Sequence, residues 1–288
     1  MGQPPALAFK AKTMINFYRR IRKKLADDNP TSAKASAGMK TGKYLKYAIG
    51  EIILVVIGIL IALQINNWNE RNTIQENITA QVSALILDLK RDKLSFVEVR
   101  GFHAFRVHSV LYLMKQYGSA KDPVIFAEAG EIPVLSETGL FGGPVPETYD
   151  KDFIIRSFSW LLRYIPMTAR INTMEEFKNT GLLAHFKNHE LKTRILDYYD
   201  AVSFAFEGDD RDTNPTEMLK KTFTAKGFAY SEAAVLDQPI EILLSEPTIR
   251  AILINIIDES TFRANMSSGM IEHLEQLIQD LEKENQKG

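Results

Sequence analysis

Tyr47 to Trp68 reads YAIGEIILVVIGILIALQINNW. Within it, Ala48 to Ile65 is a run of eighteen residues interrupted only by Glu51 and the amide of Gln64. At ~1.5 Å per helical residue the run covers most of the ~30 Å hydrocarbon thickness of a bilayer, and its flanks supply the rest. Tyr44 and Tyr47 on one side and Trp68 on the other carry amphipathic rings suited to the membrane–water interfaces. Ile52 to Leu63 is apolar on every face, which suits a membrane span or a fully buried core helix, and the sharp change of charge between its flanks favours the span. The sequence therefore predicts a transmembrane helix over 47–68. It also predicts an all-α fold, in which this helix continues into a long helix of an extracytoplasmic helical bundle.

The flanks set the orientation. Residues 1–46 hold eleven Lys/Arg against Asp27 and Asp28, a net of +9, and the remainder holds 24 Lys/Arg against 34 Asp/Glu, a net of −10. The positive-inside tendency makes 1–46 a basic cytoplasmic tail and places 69–288 on the other side. Leu63-Gln-Ile-Asn-Asn67 offers no small-residue cleavage pattern, so the run reads as an uncleaved signal anchor. Glu51 falls in the first turn of the span, where the helix dipole favours an anion and Lys43 or Lys46 can reach it. The alternative role for Glu51 is an intramembrane carboxylate serving a proton path or partner helix. Gly58 and Ala62 form a small-xxx-small pair that lets two spans approach closely.

The run YAIGEIILVVIGILIALQINNWNE, preceded by MINFYRRIRKKLADDN from Met14, resembles the N-terminal signature of a family of uncharacterised single-span bacterial membrane proteins. Phe177 to Leu183 (FKNTGLL) and Asn188 to Tyr199 (NHELKTRILDYY) are similar to a weaker second pattern in that family. The resemblance implies a bacterial inner-membrane anchor with a periplasmic helical domain. It carries no assigned activity and no catalytic residues. Two features depart from it: residues 1–13 precede the family's usual start, and Thr31 to Gly42 looks like an insertion.

Composition narrows the function classes. About 215 residues remain beyond the span for one domain, enough to bury a core. The absence of cysteine removes disulfides, thiolate metal sites and cysteine nucleophiles together. An acidic outer part argues against nucleic acid, and Arg19-Arg20-x-Arg22-Lys23-Lys24 reads as a contact to anionic lipid.

Along the chain, Met14 to Leu25 spaces its apolar residues as a short amphipathic helix on the inner leaflet, and Asp28 to Gly42 reads as a flexible linker. After the span, Ile74, Ile78, Val82, Leu85, Leu89, Phe96, Val99, Val110 and Leu113 recur at threes and fours. One helix is expected to run to about Tyr117, with a bend near Gly101. Residues 118–150, with Pro133 and Gly142-Gly-Pro-Val-Pro146, read as a long irregular loop and as the first choice for a contact surface. Helices are expected over 151–164, 173–186 (capped by Asn172 or Thr173), 190–206 and 216–223. Residues 226–245 read as irregular, and a last helix runs from Pro247 to about Glu284.

That last helix keeps a heptad through Ile249, Leu253, Ile256, Met270, Leu274, Leu277 and Leu281, interrupted by Ser260, Arg263 and Ser267. The first helix has a matching fault at Asp92. Antiparallel packing with Ile74 opposite Leu281 sets Asp92 against Arg263, and a buried charge needs such a partner. This ion pair is the structural site the sequence offers.

Catalytic patterns are missing. His185 and His189 have i, i+4 spacing without HExxH, and Asp210-x-Asp212-x-Asn214 lacks the glycine and closing carboxylate of a calcium loop. GxSxG, Walker A and dinucleotide fingerprints are absent. The expectation is a non-enzyme without cofactor or metal, held by the lipid bilayer and working through a protein partner or as a homo-oligomer. The alternative is an extracytoplasmic small-ligand sensor acting through a partner.

Overall fold

The computed structural model describes residues 20, 37–117, 130–207, 214–228 and 240–287. Most of the basic tail, including its amphipathic stretch apart from Arg20, the Tyr44 side chain and the Asp210 turn therefore lie outside the described residues. Every regular element among those described is a helix. In chain order they are α1 (Ala37–Gln116), α2 (Lys151–Leu161), α3 (Asn172–Asn179), α4 (Leu182–His185) and α5 (His189–Val202). A π turn (Ser203–Glu207) follows, and then α6 (Pro215–Ala225), α7 (Ile240–Ser245) and α8 (Pro247–Asn285). Contacts divide the chain into two compact units, Met1–Asn67 and Trp68–Gly288.

In the first unit, α1 starts at Ala37, inside the stretch read as a linker. Extending an existing helix adds one hydrogen bond per residue fixed, so an established apolar helix recruits its weak N-terminal neighbours. The apolar segment is long enough to cross a membrane, and none of its most hydrophobic window is buried. Ile52, Ile53, Val55, Val56, Ile59, Leu60 and Leu63 all point into open surroundings. A soluble core helix would have these side chains covered.

In the second unit, the inner seam of α1 runs through Ile78, Val82, Leu85, Leu89, Asp92, Phe96, Val99, His103, Arg106, Val110 and Leu113, all buried. The steps alternate four and three without a break. The seam of α8 does the same through Ile249, Leu253, Ile256, Ser260, Arg263, Ser267, Met270, Leu274, Leu277 and Leu281. Two apolar clusters grow on these seams. One joins Ile78–Val99 to the α3–α5 region and to Met270–Leu281. The other joins Phe105–Met114 to α2, α6, α7 and Ile249–Ile257. Each fully buried Leu or Ile contributes about 1.5–3 kcal/mol. Between the clusters lies a polar belt: His103, Ser260, Thr261, Arg263 and Ser267.

Local signals explain the ends of the short helices. Asp150 accepts from the Phe153 N–H at 2.7 Å, Asn188 from Leu191 at 3.1 Å and Asn214 from Thr216 at 2.8 Å, each a side-chain N-cap. The helix expected over 173–186 is broken instead: Gly181 takes φ +73°, ending α3 and starting α4. Neither Asn172 nor Thr173 caps α3; its N-cap position is Ile171, and the Thr173 hydroxyl bonds Asp88. Within the region read as irregular over 226–245, Ile240–Ser245 is helical.

Candidate functional site

Asp92 lies on the α1 seam with no exposed surface. Its carboxylate accepts from Arg170 Nη1 at 2.6 Å, from the Arg170 backbone N–H at 3.2 Å and from the Tyr198 hydroxyl at 2.9 Å. The expected Asp92–Arg263 pair is therefore replaced by Asp92–Arg170, and Arg263 Nε bonds Glu259 at 2.9 Å within its own helix. The register explains the correction. Ser83 meets Asn285, Lys90 meets Glu282, Lys93 meets Glu275 and His103 meets Ser260. Relative to Ile74 opposite Leu281, the helices are slid by 8–17 residues across these pairs, roughly 12–26 Å at ~1.5 Å per residue. Arg263 thus lies abreast of about His103, and Arg170 reaches Asp92 from the extended segment before α3.

The network extends from Asp92 to two tyrosines. Burial, the Asp92 charge and its hydrogen bond push the Tyr198 hydroxyl's pKa far above its usual 10.0. Burial, Asp92 and Asp88 do the same to Tyr199, whose hydroxyl donates to the Arg170 carbonyl at 3.1 Å. Both phenols thus stay protonated and act as fixed donors. Together they tie α1, α5 and the segment before α3 into one hydrogen-bonded node.

A second node sits in the polar belt and at the start of the neighbouring cluster. His103 is hydrogen-bonded with Ser260 at 3.2 Å. Burial, then the charges of Arg106 and Arg263, hold its pKa well below 6.5, so the ring is neutral. Arg106 is fully buried, donates from Nη2 to Thr216 Oγ1 at 2.7 Å and to the Leu161 carbonyl at 3.4 Å, and lies over the Phe102 ring. Burial lowers its pKa to about 10, with Glu259 opposing and Arg263 adding, so it remains a cation at neutral pH.

The loop chosen from the sequence as a contact surface is described from Gly130 onward. Its backbone is held firmly. The His108 ring bonds the Pro133 carbonyl at 2.8 Å, and Asn265 donates to the Glu131 carbonyl at 2.9 Å. Tyr112 OH accepts from the Asp150 N–H at 2.8 Å and donates to the Thr148 carbonyl at 3.0 Å. Gly142 packs so tightly that a Cβ there would collide with the Thr138 carbonyl. Phe141 inserts between Phe102 and Trp160. From this braced frame Val134 (92% exposed), Leu140 (63%) and Tyr149 (61%) point outward.

In the apolar segment of α1, Tyr47, Glu51, Ala62 and Trp68 are exposed, and a Cβ on Gly58 would meet nothing within 4 Å. The Gly58–Ala62 face is open. Among the described residues no three His, Asp or Glu side chains converge as a metal site. The sequence singles out Asp92 as a charge in an apolar row but gives no sign of its partners Arg170 and Tyr198, and its stripe passes over His103 and Arg106. Carrying the four-three alternation past Val99 would have placed both on the buried seam.

Residues 51–128 match the model of a family of unknown function (DUF6090). The match begins inside the apolar run, and the second pattern at 177–199 lies outside it. No curated protein and no solved structure matches the chain.

Proposed function

We propose that this chain is a bitopic membrane protein whose helical unit, 68–288, is an interaction or scaffolding module rather than an enzyme. The span is 47–68, the basic tail is cytoplasmic and the helical unit is periplasmic. The observation that carries this reading is the apolar window of α1, exposed on all sides where a soluble protein would cover it. A bilayer supplies the missing cover. The braced 130–150 loop supports the second half of the proposal, because a rigid backbone presents Val134 and Leu140 to a partner at little cost in ordering. Asp92, Arg170, Tyr198 and Tyr199 are bonded to one another and to backbone, which supports a structural rather than a catalytic role for them.

A groove of about 300 Å³ favours the sensor alternative; Ile78, Val82, His185, Phe186 and Lys287 are among the residues that line it. Its volume is at the lower end for small-ligand sites.

Crosslinking in intact cells, followed by purification through a C-terminal tag, separates the readings. A reproducible envelope protein or a ladder of this chain is the expected outcome. Recovery of the chain alone as a monomer would overturn the scaffold reading and leave the groove as the next target.

A further inference from the structure

Arg106 is fully buried on the α1 seam. Its guanidinium has no exposed surface, yet Nε and Nη1 have no protein hydrogen-bond partner. Buried donors are nearly always satisfied, and a charged one left unmet is especially costly. The hydroxyls of Ser109 and Ser157 are also fully buried and unpartnered.

These groups lie at one level of the fold. Phe153 of α2 packs on Tyr112 at 4.7 Å, Arg156 lies over Phe105 at 4.7 Å, and Trp160 meets Phe102 at 6.3 Å. Helices α1 and α2 are thus antiparallel, and Ser157 comes abreast of the turn from Arg106 to Ser109. Arg106 Nη2 reaches Thr216 in the first turn of α6, an eleven-residue helix capped by Asn214. A helix N-terminus carries roughly half a positive charge. Glu259, the carboxylate whose charge acts on Arg106, gives its Oε1 to Arg263, and its buried Oε2 has no hydrogen-bond partner.

The unmet N–H groups of Arg106, the first turn of α6 that its Nη2 reaches, and the buried hydroxyls of Ser109 and Ser157 thus lie at one level of the α1–α2–α6 packing. We propose that Arg106, Ser109, Ser157 and the N-terminus of α6 form a buried site for a monovalent inorganic anion of chloride size. The unmet Nε–H and Nη1–H of Arg106 can only donate, which points to an anion, and the two hydroxyls can turn to donate as well. Complete burial selects a small monovalent ion, because a phosphate or sulfate sheds far more hydration free energy on entering. Bound there, the ion satisfies the orphaned donors and joins α1, α2 and α6 at one point.

The test is thermal unfolding of the purified full chain in detergent micelles, exchanged from sodium gluconate into sodium chloride or bromide at constant ionic strength. A saturable rise in Tm of about 3–6 °C is expected at a tenfold excess over the half-saturating chloride concentration. Arg106→Met should abolish the rise. Ser157→Ala keeps the guanidinium and should shift half-saturation to at least about threefold higher chloride, which keeps the test decisive if Arg106→Met does not fold. Equal Tm in gluconate and chloride would overturn the site in favour of ordered water. A halide response unchanged in either variant would overturn it as well.

Discussion

Asp92 and Arg106 occupy equivalent positions on the buried seam of α1, and the fold treats them differently. Asp92 receives a guanidinium, a backbone N–H and a phenol. Arg106 receives one hydroxyl and one long carbonyl contact, with two donors unmet by protein. The first arrangement closes on itself and needs only correct folding. The second asks for something from outside the chain. A buried charge alone therefore says little about function; whether its bonds are complete says more.

Breaking the complete node should have the largest effect. Asp92→Ala leaves the Tyr198 hydroxyl and the Arg170 backbone N–H unmet, so a loss of about 3–5 kcal/mol is expected by denaturant unfolding. Arg106→Met, compared in gluconate, should cost far less, within about 1.5 kcal/mol of zero, because an apolar side chain replaces an incompletely satisfied cation. Equal costs at the two positions would erase the distinction between the nodes.

A smaller effect follows from His103, beside the incomplete node. Its folded pKa is held well below 6.5 by burial, Arg106 and Arg263. As pH falls below about 6.5, the unfolded chain takes up a proton that the folded chain refuses. Stability should drop by up to about 1.4 kcal/mol per pH unit from this group until the folded pKa is reached. His103→Gln should flatten that part of the pH–stability curve, read by urea midpoints between pH 7 and 5. An unchanged slope would mean that His103 takes up its proton without losing its place.

The fold was legible where burial follows a period. The seven apolar heptad positions read on the last helix, from Ile249 to Leu281, are all buried, and the stripe from Ile78 to Val99 is equally faithful. Asp92 stood out as a charge in an apolar row. Its partner did not, because Arg170 sits in an extended segment with no period to read, and the axial slide between α1 and α8 depends on side-chain pairs such as Lys90–Glu282 that no single helix specifies. The break at Gly181 was visible as a residue type but not as a left-handed conformation. Within the membrane reading, sequence and fold agree that one helix is long and apolar enough to span; the orientation rests on charge alone.

The most direct test of the anchor exploits the absence of cysteine. Single cysteines at Ser36, in the basic tail, and at Glu137, on the braced loop, can be probed on spheroplasts with a membrane-impermeant maleimide. The span and orientation predict labelling at Glu137 in intact spheroplasts and at Ser36 only after permeabilisation. Labelling of both sites without permeabilisation would contradict a membrane-spanning α1, and labelling of Ser36 alone would invert it.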